Sequence, residues 1–238
     1  MAGELLLERY GGPARGVESK SSATDLVSEA DHVSEAAVRE LLAAERPDDG
    51  LLAEEGSQQD SASGRRWVID PLDGTINYLY RFPSWCVSVA LEDSSGGLVA
   101  VVHDPLQGET FTAERGRGAR VNGQEIQVSG EERPERALIA TGFSYSADVR
   151  ADQAEVLVRV LPRFRDIRRA GAAALDLAYL AAGRLDGYYE RGLQPWDWAA
   201  ARLIVTEAGG TVEELPGEPA GLAAASPGLL PKLLELIS

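Results

Sequence analysis

Four acidic residues stand where apolar segments begin or end. Glu54 follows Leu51-Leu52-Ala53, Asp70 and Asp73 follow Trp67-Val68-Ile69, and Asp197 opens the stretch WDWAAARLIV. A charge beside a core segment is costly unless something pairs it. Each acid alone has an ordinary reading: Asp73 or Thr75 as a helix cap, Glu54-Glu55 as a solvated turn, Asp197 as a carboxylate at a helix N-terminus. If the segment ends converge, the four carboxylates share one pocket, where without neutralisation they oppose folding. Two divalent cations held by oxygen ligands would neutralise them, and no Cys or His pattern suits a softer metal. His32 and His103 lack a partner at ligand spacing and read as structural.

The Asp70-Pro71-Leu72-Asp73 spacing has a use of its own. Proline fixes the backbone at a sharp bend, holding both carboxylates to one side. The Leu72 carbonyl is then available as a further hard ligand, and Gly74 allows a close approach of backbone to a bound group. If Thr75 begins a helical turn, the amides of Gly74 and Thr75 point outward as an anion site. Cations beside a phosphate-sized anion site make an arrangement suited to phosphoryl transfer.

The elements that must hold these residues follow from periodicity. Ser28 is a helix N-cap before EADHVSEAAVRELLAAERPDDG, whose apolar side is supplied by Val33, Ala36, Ala37, Val38, Leu41 and Leu42. Strands are expected at Leu51 to Ala53, Trp67 to Ile69, Cys86 to Leu91, Leu98 to His103 and Thr110 to Ala113, with a hairpin turn at Asn122-Gly123. After Pro134 the pattern alternates. A strand at Leu138 to Thr141 precedes helices at Val149 to Leu161 and about 172 to 182, a strand at Gly187 to Glu190, and helices at Trp196 to Ala208 and about Pro227 to Ile237. Meander first and alternation later imply α+β layers in one domain, with a subdomain boundary near 130 to 136.

Composition narrows the partners. The 238-residue chain carries a formal net charge of −15, which argues against nucleic acid or an anionic membrane as the main partner. Its one cysteine, Cys86, lies in the apolar run SWCVSVAL and reads as a packed core thiol. The N-terminus MAGELLLERYGG lacks the basic start of a signal peptide, and no apolar run approaches membrane-spanning length, so a cytoplasmic location is expected.

The ordered segments KSSATDLVSEAD, AEEG, WVIDPLDGTINY, RFPSWCVSVAL and YYERGLQPWDWAAARLIVTEAGG resemble the inositol monophosphatase family of magnesium-dependent, lithium-sensitive phosphomonoesterases. The resemblance implies a layered αβαβα sandwich and a homodimer. It implies two Mg²⁺ ions, or three, held by Glu54, Asp70, the Leu72 carbonyl, Asp73 and Asp197. Glu54 and the Thr75 hydroxyl would orient an activated water for in-line attack on phosphorus, with Asp31 supporting the threonine. Substrate contacts fall to Lys20, Asp73, Gly74, Thr75, Ala173, Glu190 and Asp197, and Asp25 would lie near the mouth of the site. From the residues alone, Asp31 could equally be a solvated helix charge, and Lys20 an ordinary loop lysine.

The sequence departs from the family pattern at Ala53, Ile76 and Ala172, and the segment before Lys20 is shorter than the helix many relatives carry there. The substrate implied is inositol 1-phosphate or a related small phosphomonoester. Histidinol phosphate, fructose 1,6-bisphosphate and a nucleotide 3′-phosphate are kept open by Arg168, Arg169 and Arg191. A non-catalytic, metal-stabilised regulatory protein is the alternative of a different class.

Overall fold

A computed structural model describes residues 1–12, 15–19 and 26–238. In chain order the elements are α1 (Ala2–Arg9), β1 (Glu18–Ser19), β2 (Leu26–Val27), α2 (Glu29–Glu45), β3 (Gly50–Ala53), β4 (Gln58–Gln59), β5 (Arg66–Asp73), α3 (Thr75–Tyr80) and β6 (Cys86–Asp93). The meander continues through β7 (Gly96–Asp104), β8 (Glu109–Glu114), β9 (Ala119–Val121) and β10 (Gln124–Ile126). Then come β11 (Leu138–Thr141), α4 (Ala147–Val160), β12 (Asp166–Arg168), α5 (Ala173–Ala181), β13 (Gly187–Arg191), α6 (Pro195–Glu207), β14 (Thr211–Leu215), β15 (Gly221–Ala225) and α7 (Leu230–Ile237).

Among the described residues the larger sheet has eight strands in the order β10-β9-β8-β7-β6-β5-β3-β4, and a second has five, β12-β11-β13-β15-β14. In the larger sheet only the β3–β5 pair is parallel, whereas β11 pairs in parallel with both β12 and β13. Alternation along the strands sorts the layers. Val68, Ala90 and Ala100 pack with α5 and α6 on one face of the large sheet, while Ile69 and Val87 pack with Leu6, Ala30 and Val38 on the other. In the small sheet Tyr188, Leu222 and Ala224 meet α5 and α6, while Tyr189, Ala223 and Ala225 meet Val160, Leu230 and Leu233. The result is five layers: α1 and α2, the large sheet, α5 and α6, the small sheet, and α4 with α7. Alanines at 174, 178, 181, 199, 200 and 201 are buried in the two central helices, so small side chains fill the space between the sheets.

The structure departs from the sequence reading in several elements. Strand β5 does not stop at Ile69. It runs on through Asp73, with a register shift against β6 between Asp70 and Asp73. Pro71 has no N–H to give the ladder, and a bulge accommodates it. The buried face of α2 only partly coincides with its predicted apolar side: Val38 is buried and Leu42 packs on the core, but Ala30, Asp31, Ser34 and Glu35 also point inward and Leu41 is exposed. Helix α1 was not anticipated; Leu6 anchors it in the core and its carbonyl accepts the Tyr78 hydroxyl at 2.7 Å. Strands β12, β14 and β15 were also not anticipated. The sequence of β15, GLAAA, has little strand character, and its burial between two neighbours on the sheet decides the outcome. The last helix begins at Leu230 rather than near Pro227.

Candidate active site

One cavity of about 740 Å³ collects the ends of these elements; Glu54, Asp70, Leu72, Asp73, Gly74, Thr75, Ala173, Glu190 and Asp197 all line it. Glu54 leaves the parallel strand β3, Asp70 to Asp73 end its neighbour β5, and Gly74 turns the chain into α3. The second half contributes the start of α5, the end of β13 and the start of α6. A smaller cavity, about 390 Å³ between α1, α2 and α3, contains none of the predicted residues and lies among Arg9, Arg15 and Arg81.

Gly74 is required where it stands. Its φ of +93° is in the left-handed region, and a Cβ there would approach the Ser84 carbonyl to 2.9 Å. Asp70 Oδ1 accepts the Leu72 amide at 3.0 Å, which closes a local turn across the proline. Asp73 reaches into the other half of the chain: its Oδ1 accepts the Ala173 amide at 3.2 Å and its Oδ2 the Ala174 amide at 2.7 Å. It thereby does for α5 what the N-cap residue Ala172 cannot, since alanine has no side-chain acceptor. The Ala173 N–H is thus engaged by Asp73. Asp197 is the third helical residue of α6 and its Oδ2 accepts the Gln194 amide at 2.7 Å, so the plain capping reading and the pocket reading both hold for this residue.

Burial and crowding set the electrostatics. Asp70 is held well above the usual carboxylate range, by burial first and then by the charges of Glu54, Asp73 and Asp197. Asp73 is pushed up to about 6 by burial, although the Ala174 amide and the Cys86 thiol draw it back. Asp197 is likewise raised by burial, against the pull of the Gln194 amide. Glu190 is pushed up to about 7 by burial, with the Tyr188 hydroxyl, donating to Oε2 at 2.6 Å, and Arg169 opposing. Among the described residues no three His, Cys, Asp or Glu side chains already close into an ion cage. The donor set nevertheless suits a hard cation: buried carboxylates and a carbonyl, oxygen throughout, converging on one cavity.

Thr75 is held at its hydroxyl by two acceptors. Its hydroxyl lies 2.8 Å from Asp31 Oδ1 and 3.1 Å from the Leu72 carbonyl, and a hydroxyl has a single proton to give. Asp31 Oδ2 takes the Ser28 amide at 2.8 Å and the Ser28 hydroxyl at 2.7 Å. Asp31 is fully buried, so the solvated reading of this residue is overturned. Donating to Asp31 leaves the threonine oxygen able to accept a hydrogen bond.

Several residues of the site were missed in the sequence. Ser34 donates to the Pro71 carbonyl at 2.7 Å, and Glu35 accepts the Glu55 amide at 2.7 Å and the Ser57 amide at 3.3 Å. Their i+3 and i+4 spacing from Asp31 was the available signal. Asn77 ties α3 to the Ser84 and Ala170 carbonyls at 2.7 and 2.8 Å. Phe143, Ser144, Tyr145 and Arg169 also line the cavity. Arg191, next to Glu190, gives its Nη1 to the carbonyls of Pro216 and Pro219. Two predicted positions, Lys20 and Asp25, lie outside the described residues. His32 is exposed, its Nδ1 4.0 Å from Glu55 Oε2, and His103 Nδ1 sits 3.0 Å from the Thr110 hydroxyl.

Layers in the order αβαβα with an acid-lined cavity at the strand ends are the architecture of the sugar-phosphatase type. The chain belongs to the inositol monophosphatase family, whose pattern it matches over residues 1–236. It is 39% identical to the Nus factor SuhB of Escherichia coli K12, over 91% of this chain and 82% of that one. It is 38% identical to the inositol-1-monophosphatase SuhB of Mycobacterium tuberculosis, over 97% of this chain and 84% of that one. Among solved structures, the extragenic suppressor protein suhB of Bartonella henselae superposes with a TM-score of 0.94 at 38% identity, covering 100% of this chain and 94% of that one. Family membership supports phosphatase activity, and no described helix is long and apolar enough to cross a membrane.

Proposed function

We propose that this protein is a Mg²⁺-dependent phosphatase that hydrolyses a small phosphomonoester, with inositol 1-phosphate as the first substrate to test. The observation that carries the reading is the convergence of Glu54, Asp70, Leu72, Asp73 and Asp197 on one cavity, beside a Thr75 hydroxyl held by Asp31. Glu54, Asp70, the Leu72 carbonyl, Asp73 and Asp197 would hold two ions, or three. Mg²⁺ would neutralise the acids, lower the pKa of water and offset the charge developing on the phosphate and the leaving oxygen.

The chain's own residues do the rest. Thr75, its proton engaged by Asp31, offers lone pairs to one proton of the attacking water, and Glu54 receives the other as general base. The amides of Gly74 and Thr75 face the phosphate, and Lys20 is assigned a further substrate contact. Glu190 hydrogen-bonds a hydroxyl of the substrate, and Ala173 borders its ring. The working form is a homodimer of single-domain chains in the cytoplasm, with a soft boundary near residues 130 to 136, and neither nucleic acid nor membrane is a main partner. Phosphate release measured with Mg²⁺ over inositol 1-phosphate, histidinol phosphate, fructose 1,6-bisphosphate and a 3′-phosphonucleotide tests this. Turnover of none of them would overturn the reading.

A second reading draws on the relatives themselves. Identity to a protein named a Nus factor is 39% and to one named an inositol-1-monophosphatase 38%, so a transcription-related role for the same fold is a further proposal. Mg²⁺ raising the melting temperature with no turnover across the substrate panel would favour it.

A further inference from the structure

We propose that Glu35 is a positioning residue: its carboxylate sets the turn that presents Glu54, and with Ser34 and Asp31 it makes α2 the part that aligns the acid-bearing segments. This rests on reading the cavity as a Mg²⁺ site. Glu35 is 4% exposed, and its two oxygens take the amides of Glu55 and Ser57. On its other side the same turn is tied to β5, the Glu54 amide donating to the Ile69 carbonyl at 3.2 Å. Glu54 is thus held between a strand of the sheet and a helix carboxylate. One position earlier on α2, Ser34 fixes the Pro71 carbonyl between Asp70 and Leu72, and one turn earlier Asp31 fixes Thr75. Residues 31, 34 and 35 share a helix face, so one rigid element grips three segments that sequence separates. A carboxylate accepting backbone amides forms stronger bonds than a neutral acceptor, which suits it to hold a turn against the repulsion of nearby acids.

A merely structural Glu35 would affect stability alone, and the test separates the two roles. Mg²⁺ is titrated calorimetrically, without substrate, into the wild type, Glu35→Gln and Val38→Ala, the last trimming a buried apolar residue of the same helix whose side chain makes no hydrogen bond to the acid-bearing segments. Glu35→Gln is expected to bind Mg²⁺ ~10–100-fold more weakly. Val38→Ala is expected to lose melting temperature while keeping wild-type Mg²⁺ affinity. Wild-type affinity in Glu35→Gln, or an equal loss in Val38→Ala, overturns the proposal. Glu35→Asp, which keeps the charge but withdraws it by one methylene, is expected to fall between, and it decides the matter if the glutamine variant does not fold. If the wild type binds no Mg²⁺, the phosphatase reading fails, and hydrogen exchange then judges Glu35 alone. The Glu55 and Ser57 amides should exchange about tenfold faster in Glu35→Gln while the Glu54 amide does not; equal protection at all three overturns the proposal.

Discussion

Asp31 and Asp70 are both aspartates shut away from solvent, and they differ in what surrounds their oxygens. Asp31 receives the Ser28 amide, the Ser28 hydroxyl and the Thr75 hydroxyl. Asp70 receives the Leu72 amide, and burial, the charges of Glu54, Asp73 and Asp197 and a hydrogen bond shared with Glu54 hold it well above its ordinary range. The first carboxylate is completed by the protein. On the proposed reading, a cation would complete the second. A buried acid therefore identifies a binding site only when its neighbours are counted, and the helix acids of α2 belong to the frame that carries the cavity acids.

Asp70→Asn breaks this comparison most sharply. Phosphate release with Mg²⁺ should fall by more than about a hundredfold. The metal-free protein should become more stable, because one of four crowded charges is gone, by ~2–4 °C in melting temperature for each kcal/mol relieved. Asp31→Asn should act with the opposite sign on stability, costing about 2–4 kcal/mol with or without Mg²⁺, since an amide nitrogen is turned toward hydroxyl and amide donors. Denaturant unfolding of both variants decides it; two shifts of the same sign in the absence of Mg²⁺ would erase the distinction.

The pH response sharpens the same contrast. Asp73 at about 6 and Glu190 at about 7 titrate higher in the folded chain than at their ordinary values near 4. Between those limits the folded state holds more protons than the unfolded state, so stability falls as pH rises. The metal-free protein should thus be more stable at about pH 5 than at about pH 8, and saturating Mg²⁺ should remove the part due to Asp73. A flat metal-free profile over that range would count against the burial that raises these two acids. The smallest effect is expected of Tyr188→Phe, which removes the hydroxyl donated to Glu190. KM for a polyol phosphate should change ~2–10-fold with kcat within about twofold, read from steady-state kinetics.

Most of the large sheet was legible because its strands are apolar runs and one of its turns carries the Asn122-Gly123 signal. The acids were legible because they interrupt apolar runs. The inward face of α2 was not, since Asp31, Ser34 and Glu35 look like the solvent side of an amphipathic helix until their partners on other segments are known. Strand β15 was hidden by its alanines, which the sheet accepts because β13 and β14 pair with it on both sides and helices cover both of its faces. The service of Asp73 to α5 was equally invisible: local pattern cannot report a bond between residues a hundred positions apart.

That bond has a consequence for recombining this chain with its relatives. The sheet changes between Ile126 and Leu138, an obvious place to splice halves from different parents. Yet Asp73, from the first half, closes the open end of a helix in the second. A hybrid inherits a working cavity only if the incoming half offers its two leading amides at the same spot, so Asp73 acts as the keyway into which any replacement half must fit.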